Sequence, residues 1–139
     1  MKANTVKVKS SVVLPNGRKY NVGEIKMIEG SYGFFLPLGS ISTIVRRIMK
    51  AEGINTSEYS IRSDSFAGGD SMSVSETAKT NPTDTIRNFL RNLMNQIQIG
   101  NFNGMIDLYE YKSERPVIIS HSGDIEVDFG IKYTFFDVY

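Results

Sequence analysis

The chain has 139 residues, a formal net charge of +1, 40% apolar residues, no cysteine and a single histidine, His121. That length sets an expectation of one domain with one core. The lack of cysteine excludes disulfides, thiolate zinc sites and cysteine nucleophiles, and one histidine cannot build a histidine-rich metal cage. No apolar run reaches about 18 residues and no charged-then-apolar leader is visible, so the expectation is a soluble, cytoplasmic protein without membrane contact.

The charge is unevenly spread. Residues 1–50 carry an excess of seven positive charges, from Lys2, Lys7, Lys9, Arg18, Lys19, Lys26, Arg46, Arg47 and Lys50 against Glu24 and Glu29. Residues 51–139 carry an excess of six negative charges. Such a chain either meets a polyanion with one side or neutralises its halves across the folded surface.

Residues 5–14 alternate Val6 and Val8 with Lys7 and Lys9, the pattern of a half-buried strand. Pro15-Asn16-Gly17 signals a turn, and Tyr20 to Ile28 supplies the returning strand, giving a basic N-terminal β-hairpin. Phe34, Phe35 and Leu36 read as a third strand entering the core. Ser40 is placed to cap a helix whose buried face is Ile41, Ile44, Val45, Ile48 and Met49, with Gly53 at its end. The opposite face of that helix carries Arg46, Arg47 and Lys50.

The stretch SIRSDSFAGGDSMSV, residues 60–74, reads as two strands around a glycine loop, its wet face carrying Arg62, Asp64 and serines. Gly68 and Gly69 suit a hairpin connection because both tolerate positive φ. A second helix follows an Asn81 cap, with Pro82 in its first turn, an apolar stripe of Ile86, Phe89, Leu90, Leu93, Met94 and Ile97, and Gly100 as its stop. Strands are then expected at Met105 to Tyr111, Pro116 to Ser120, Ile125 to Phe129 and Ile131 to Val138, with Ser122-Gly123-Asp124 as a turn. Together these elements define an α+β fold: a mainly antiparallel sheet with two amphipathic helices on one face, preceded by the basic hairpin.

The sequence holds no Gly-x-Gly-x-x-Gly or Gly-x-x-x-x-Gly-Lys-Ser/Thr element and no nucleophile-elbow motif for His121 to serve. Asp64, Asp70 and Asp107 could share a proton or a divalent cation, but no spacing requires it. By period two, Met105, Asp107, Tyr109 and Tyr111 share one strand face, where tyrosines beside cations can stack bases or anchor a protein. The residues therefore point to binding rather than catalysis, with no catalytic set, cofactor or metal ligand assigned.

Two stretches carry a resemblance. Ser63, Phe66, Gly68, Gly69 and Ser71, and then Phe102-Asn103-Gly104-Met105-Ile106-Asp107, resemble motifs of the twenty-ninth family of large polyvalent protein-associated domains, over residues 40–139. Asn103 stands where that family has an aspartate. The resemblance implies a phage or conjugative-element origin and an accessory role inside a host cell, such as anti-defence. It implies a shared surface around Gly68, Gly69, Asp70 and Asp107 and no catalytic residues. The expected partner is a host protein or complex, contacted by Arg46, Arg47, Lys50, Arg62, Asp64, Asp70, Tyr109 and Tyr111. Nucleic acid held by the basic first half is the alternative, and a small enzyme or sequestering protein built on the acidic loop is a third reading.

Overall fold

The computed structural model describes residues 4–139, so Lys2 lies outside the described residues. Among the described residues it is an α+β fold of ten strands and two α-helices, and nearly all of the strand pairs are antiparallel. The alternating N-terminal stretches form β1 (Asn4–Val13) and β2 (Lys19–Gly30), with Val6 opposite Met27 and Val8 opposite Ile25. These apolar residues point inward, while Lys7, Lys9 and Lys26 on the alternate positions stay exposed. The turn forms at Pro15-Asn16-Gly17, where Gly17 adopts φ +88°. β3 (Gly33–Phe35) joins the far end of β2, with Phe34 packed on the core and Phe35 half exposed.

The N-terminal ribbon is not an appendage. β1 also pairs with β8 (Val117–Ser120), which pairs with β9 (Glu126–Asp128), giving a five-stranded sheet in the order β3-β2-β1-β8-β9. A second sheet has the order β10-β5-β4, from β4 (Tyr59–Phe66), β5 (Gly69–Glu76) and β10 (Tyr133–Asp137). β10 runs parallel to β5, a pairing of residues about sixty positions apart. β6 (Gly100–Asn103) and β7 (Leu108–Tyr111) form a separate two-stranded ribbon.

The single sheet expected from the sequence is thus three, and each helix has its own support. α1 (Leu38–Ala51) packs on β2 and β4, whereas α2 (Asp84–Ile97) packs on β10. Both apolar stripes are buried as their spacing requires, except that Ile86 and Phe89 are only partly covered. One core cluster contains Val12, Ile25 and Met27 from the ribbon, Ile44 and Ile48 from α1, Met72 and Val74 from β5, Leu90 and Ile97 from α2, and Phe129 and Ile131 near the C-terminus. Each such side chain contributes roughly 1.5–3 kcal/mol by leaving water. No helix among the described residues is long and apolar enough to cross a membrane.

Two expected caps are corrected. Ser40 lies inside α1, which begins after Pro37, and its hydroxyl donates to the Lys26 carbonyl at 2.6 Å. The α2 cap is Thr83, whose Oγ1 accepts from the Ile86 N–H, rather than Asn81. α2 ends at Ile97, so Gly100 opens β6 instead of stopping the helix. Gly53 follows α1 in the left-handed region, φ +79°, and donates to the Lys50 carbonyl.

Candidate functional site

The glycine loop is a hairpin turn, and it is also clasped. Phe66 pairs with Gly69 across a two-residue connection, and Gly69, unlike Gly68, takes positive φ, +141°. The clasp is Lys132, which precedes β10. Its backbone N–H donates to Asp70 Oδ1 at 2.8 Å, and its Nζ donates to the Gly68 carbonyl at 2.8 Å. A Cβ on Gly69 would lie 2.6 Å from Lys132 Cδ, so the absent side chain is what lets the lysine lie down.

Aromatic rings close around this lysine. Lys132 Nζ stands 4.9 Å from the Tyr109 ring centroid and 5.8 Å from that of Tyr133. Tyr109 donates its hydroxyl to the Lys132 carbonyl at 2.5 Å and meets Tyr111 and Tyr133 edge-on, at 4.9 and 5.6 Å. Phe66 stacks on Tyr133 at 6.0 Å. Burial, followed by the neighbouring Tyr133, Tyr111 and Asp70, pushes the Tyr109 phenol up to about 12, so it holds its proton at neutral pH. It acts as a fixed donor to the Lys132 carbonyl.

The structure therefore brings together Gly68, Gly69, Asp70, Tyr109 and Tyr111, and it adds Lys132, Tyr133 and Phe66. Asp107 does not share a strand face with the tyrosines. It sits in the turn between β6 and β7 with φ +51°, and the expected strand Met105 to Tyr111 is interrupted by that turn. The Asn103-Gly104 pair was the signal for it. Asp64 accepts from the adjacent Ser65 N–H and is exposed, as is Arg62. Among the described residues no group of three or more His, Asp and Glu side chains could hold a metal ion. His121 Nε2 lies 3.3 Å from Ser11 Oγ.

Arg46, Arg47 and Lys50 are exposed on α1, and Arg46 and Lys50 lie on neither hairpin of the clasp. Arg47 is engaged within the chain, donating from Nη1 to the carbonyls of Val22 at 2.5 Å and Glu24 at 2.7 Å. With Ser40 on Lys26, α1 thereby satisfies three alternate carbonyls along the open edge of β2.

Next to the clasp lies the most conspicuous surface of the molecule. Phe66, Phe102, Met105, Ile106, Leu108 and Tyr111, on the β4–β5 tip and the β6–β7 ribbon, retain between 47% and 96% of their accessible surface. A lone two-stranded ribbon is marginal in water. This one is held by Tyr109, which lies across Gly100, and by backbone bonds from Ile99 to Ile131 and from Lys112 to Ile99. Sequence reasoning placed Met105, Ile106 and Leu108 within one continuous strand to Tyr111 and did not single out Lys132.

No protein-family model, curated protein or solved structure matches this chain.

Proposed function

We propose that this protein is a non-catalytic binding module that docks onto a host protein through the face formed by the clasped glycine loop and the β6–β7 ribbon. The observation that carries this reading is the concentration of six large exposed apolar side chains on two hairpins joined by the Lys132 clasp. Exposed apolar side chains concentrated in this way are characteristic of protein interfaces, where aromatic and methionine side chains are enriched. Arg62 and Asp64, exposed on β4, stand on the polar rim, where they would set orientation and partner choice. The motifs around Ser63 to Ser71 and Phe102 to Asp107 fall on this same face. The resemblance they carry supports an accessory, anti-defence role for a phage or mobile element in the host cytoplasm.

The test is affinity capture from bacterial host lysate with the tagged protein, treated with nuclease, beside the double variant Ile106→Ser/Leu108→Ser. A host protein retained after nuclease and lost from the variant supports the reading. An identical set of captured proteins with both baits overturns it. Replacing Asp64, Asp70 and Asp107 together by asparagine addresses the acidic-loop reading. Loss of biological activity in that variant, with capture intact, would transfer the function to the carboxylates.

A further inference from the structure

The cations of β1, β2 and α1 define a second surface, independent of the hairpin face. Lys7 and Lys26 are direct cross-strand partners with both side chains exposed. Because the Lys26 carbonyl turns away from β1 to accept from Ser40, this is the non-hydrogen-bonded type of pair, in which facing side chains come closest. Like charges directly opposite one another are destabilising. Both lysines line a cleft of about 600 Å³ together with Arg47, Gly39, Ser40 and Thr43.

Glu24 lines the same cleft, so Lys7, Lys26 and Arg47 leave a net excess of two positive charges there. The only ion pairs among the described residues are Arg18 with Glu52 and Arg87 with Glu76. Arg18 is thus the one cation of the first half that is ion-paired with the acidic half among the described residues, and Lys7, Lys26 and Arg47 are in neither pair.

We infer that this cleft takes the sugar-phosphate backbone of a nucleic acid. Beyond the cleft's lining the row continues to Lys9, two positions from Lys7 on the same strand and so about 6.7 Å away. That repeat is comparable to the distance between neighbouring phosphates along a strand, and Lys26 widens the row beside Lys7. A repeating polyanion satisfies this row better than a lone anion does. No aromatic side chain lines the cleft, so bases are neither stacked nor read there and binding is independent of sequence. Arg47, tied to two carbonyls, is a fixed positive charge at the edge of the row rather than a mobile contact.

The test is fluorescence anisotropy of labelled mixed-sequence oligonucleotides, single-stranded and duplex, titrated with the full chain across a salt series. Three neutralised phosphates give a log–log salt slope of about −2.1 for single strands and about −2.7 for duplex. Lys7→Gln/Lys26→Gln should weaken all sequences alike and reduce the slope by about 0.7 per lysine for single strands and about 0.9 for duplex. The Ile106→Ser/Leu108→Ser variant should bind oligonucleotide as the parent does, which separates this inference from the proposed protein interface. Binding that fails to saturate at low salt, or a slope unchanged in the lysine variant, overturns the inference. So does inorganic phosphate competing as well as oligonucleotide at equal phosphate concentration, since that would identify a site for a single anion. Because Lys7 and Lys26 are exposed and mutually repelling, the lysine variant should melt no lower than the parent by circular dichroism.

Discussion

Gly69 and Lys132 illustrate how one missing side chain and one long one make a structural unit. Gly69→Ala would force a Cβ into positive φ and against Lys132 Cδ, where only 2.6 Å is available. Strain of that kind costs about 1–3 kcal/mol. Lys132→Ala, which removes the hydrogen bond to Gly68 and the ring contacts, should cost about 1 kcal/mol. The lysine is itself the obstacle, so the double variant should lose less than the sum of the singles. Urea unfolding of the four proteins measures that coupling, and strict additivity would show that the lysine does not contact the loop in solution. Gly100 is less forgiving. An alanine Cβ there would lie 2.2 Å from the Glu110 carbonyl oxygen, which is backbone and cannot swing aside. Gly100→Ala should unpair β6 from β7, seen as accelerated amide exchange over residues 100–111 with the amides of β1 and β2 still protected.

Among the elements, α1 does more than contribute an apolar face. It covers the edge of β2 that β3 is too short to pair, supplying Ser40 and Arg47 to carbonyls that would otherwise lack partners. Ser40→Ala should therefore destabilise by about 1 kcal/mol, the net contribution of the lost hydrogen bond to the Lys26 carbonyl, even though it improves helix propensity. Thr83→Ala should cost about 1 kcal/mol by uncapping α2. Thermal or urea denaturation distinguishes these values from the near-zero effect expected at an uninvolved surface serine. The two helices also mark what the sequence made legible. Their buried faces follow from i, i+3, i+4 spacing, which is local and strong. Their starts do not, because the Ser40 hydroxyl is claimed by a strand fourteen residues earlier, and nothing local reveals that claim. The same limit governs the site. Gly68, Gly69, Asp70 and Tyr109 carried visible signals, whereas Lys132 gains its meaning from Asp70, sixty-two residues away. β10 was visible as a strand, but its parallel pairing with β5 was set by tertiary packing.

At the scale of the whole molecule, stability should be bounded on both sides by groups that tie distant segments together. Glu76 is buried and accepts both guanidinium bonds of Arg87, at 2.8 and 2.9 Å, and also the backbone N–H of Tyr139. These bonds, the Arg87 pair first, hold its carboxyl below the usual carboxylate range. A depressed carboxyl contributes stability that is fully present above its unfolded pKa and is lost as the pH falls through the folded one. The melting temperature of the parent should thus drop on acidification below the usual carboxylate range. Glu76→Gln should melt several degrees lower at neutral pH, with the gap to the parent closing as the medium becomes more acid. The alkaline side has the opposite sign. Tyr20, whose hydroxyl donates to Glu52, is pushed up to about 12, chiefly by burial and then by that carboxylate, and Tyr109 is pushed up equally far. A raised phenol contributes stability that is complete below its unfolded value of 10.0 and is lost as the pH climbs through about 12. Tyr20→Phe/Tyr109→Phe should therefore be less stable than the parent at neutral pH, where both hydrogen bonds are made, yet show a flatter decline between those two values. Melting curves followed by circular dichroism across the alkaline range test this. Parallel declines for parent and variant would mean that neither phenol is buried as the fold places it, and the packing of the ribbon against the Lys132 clasp would have to be abandoned with it.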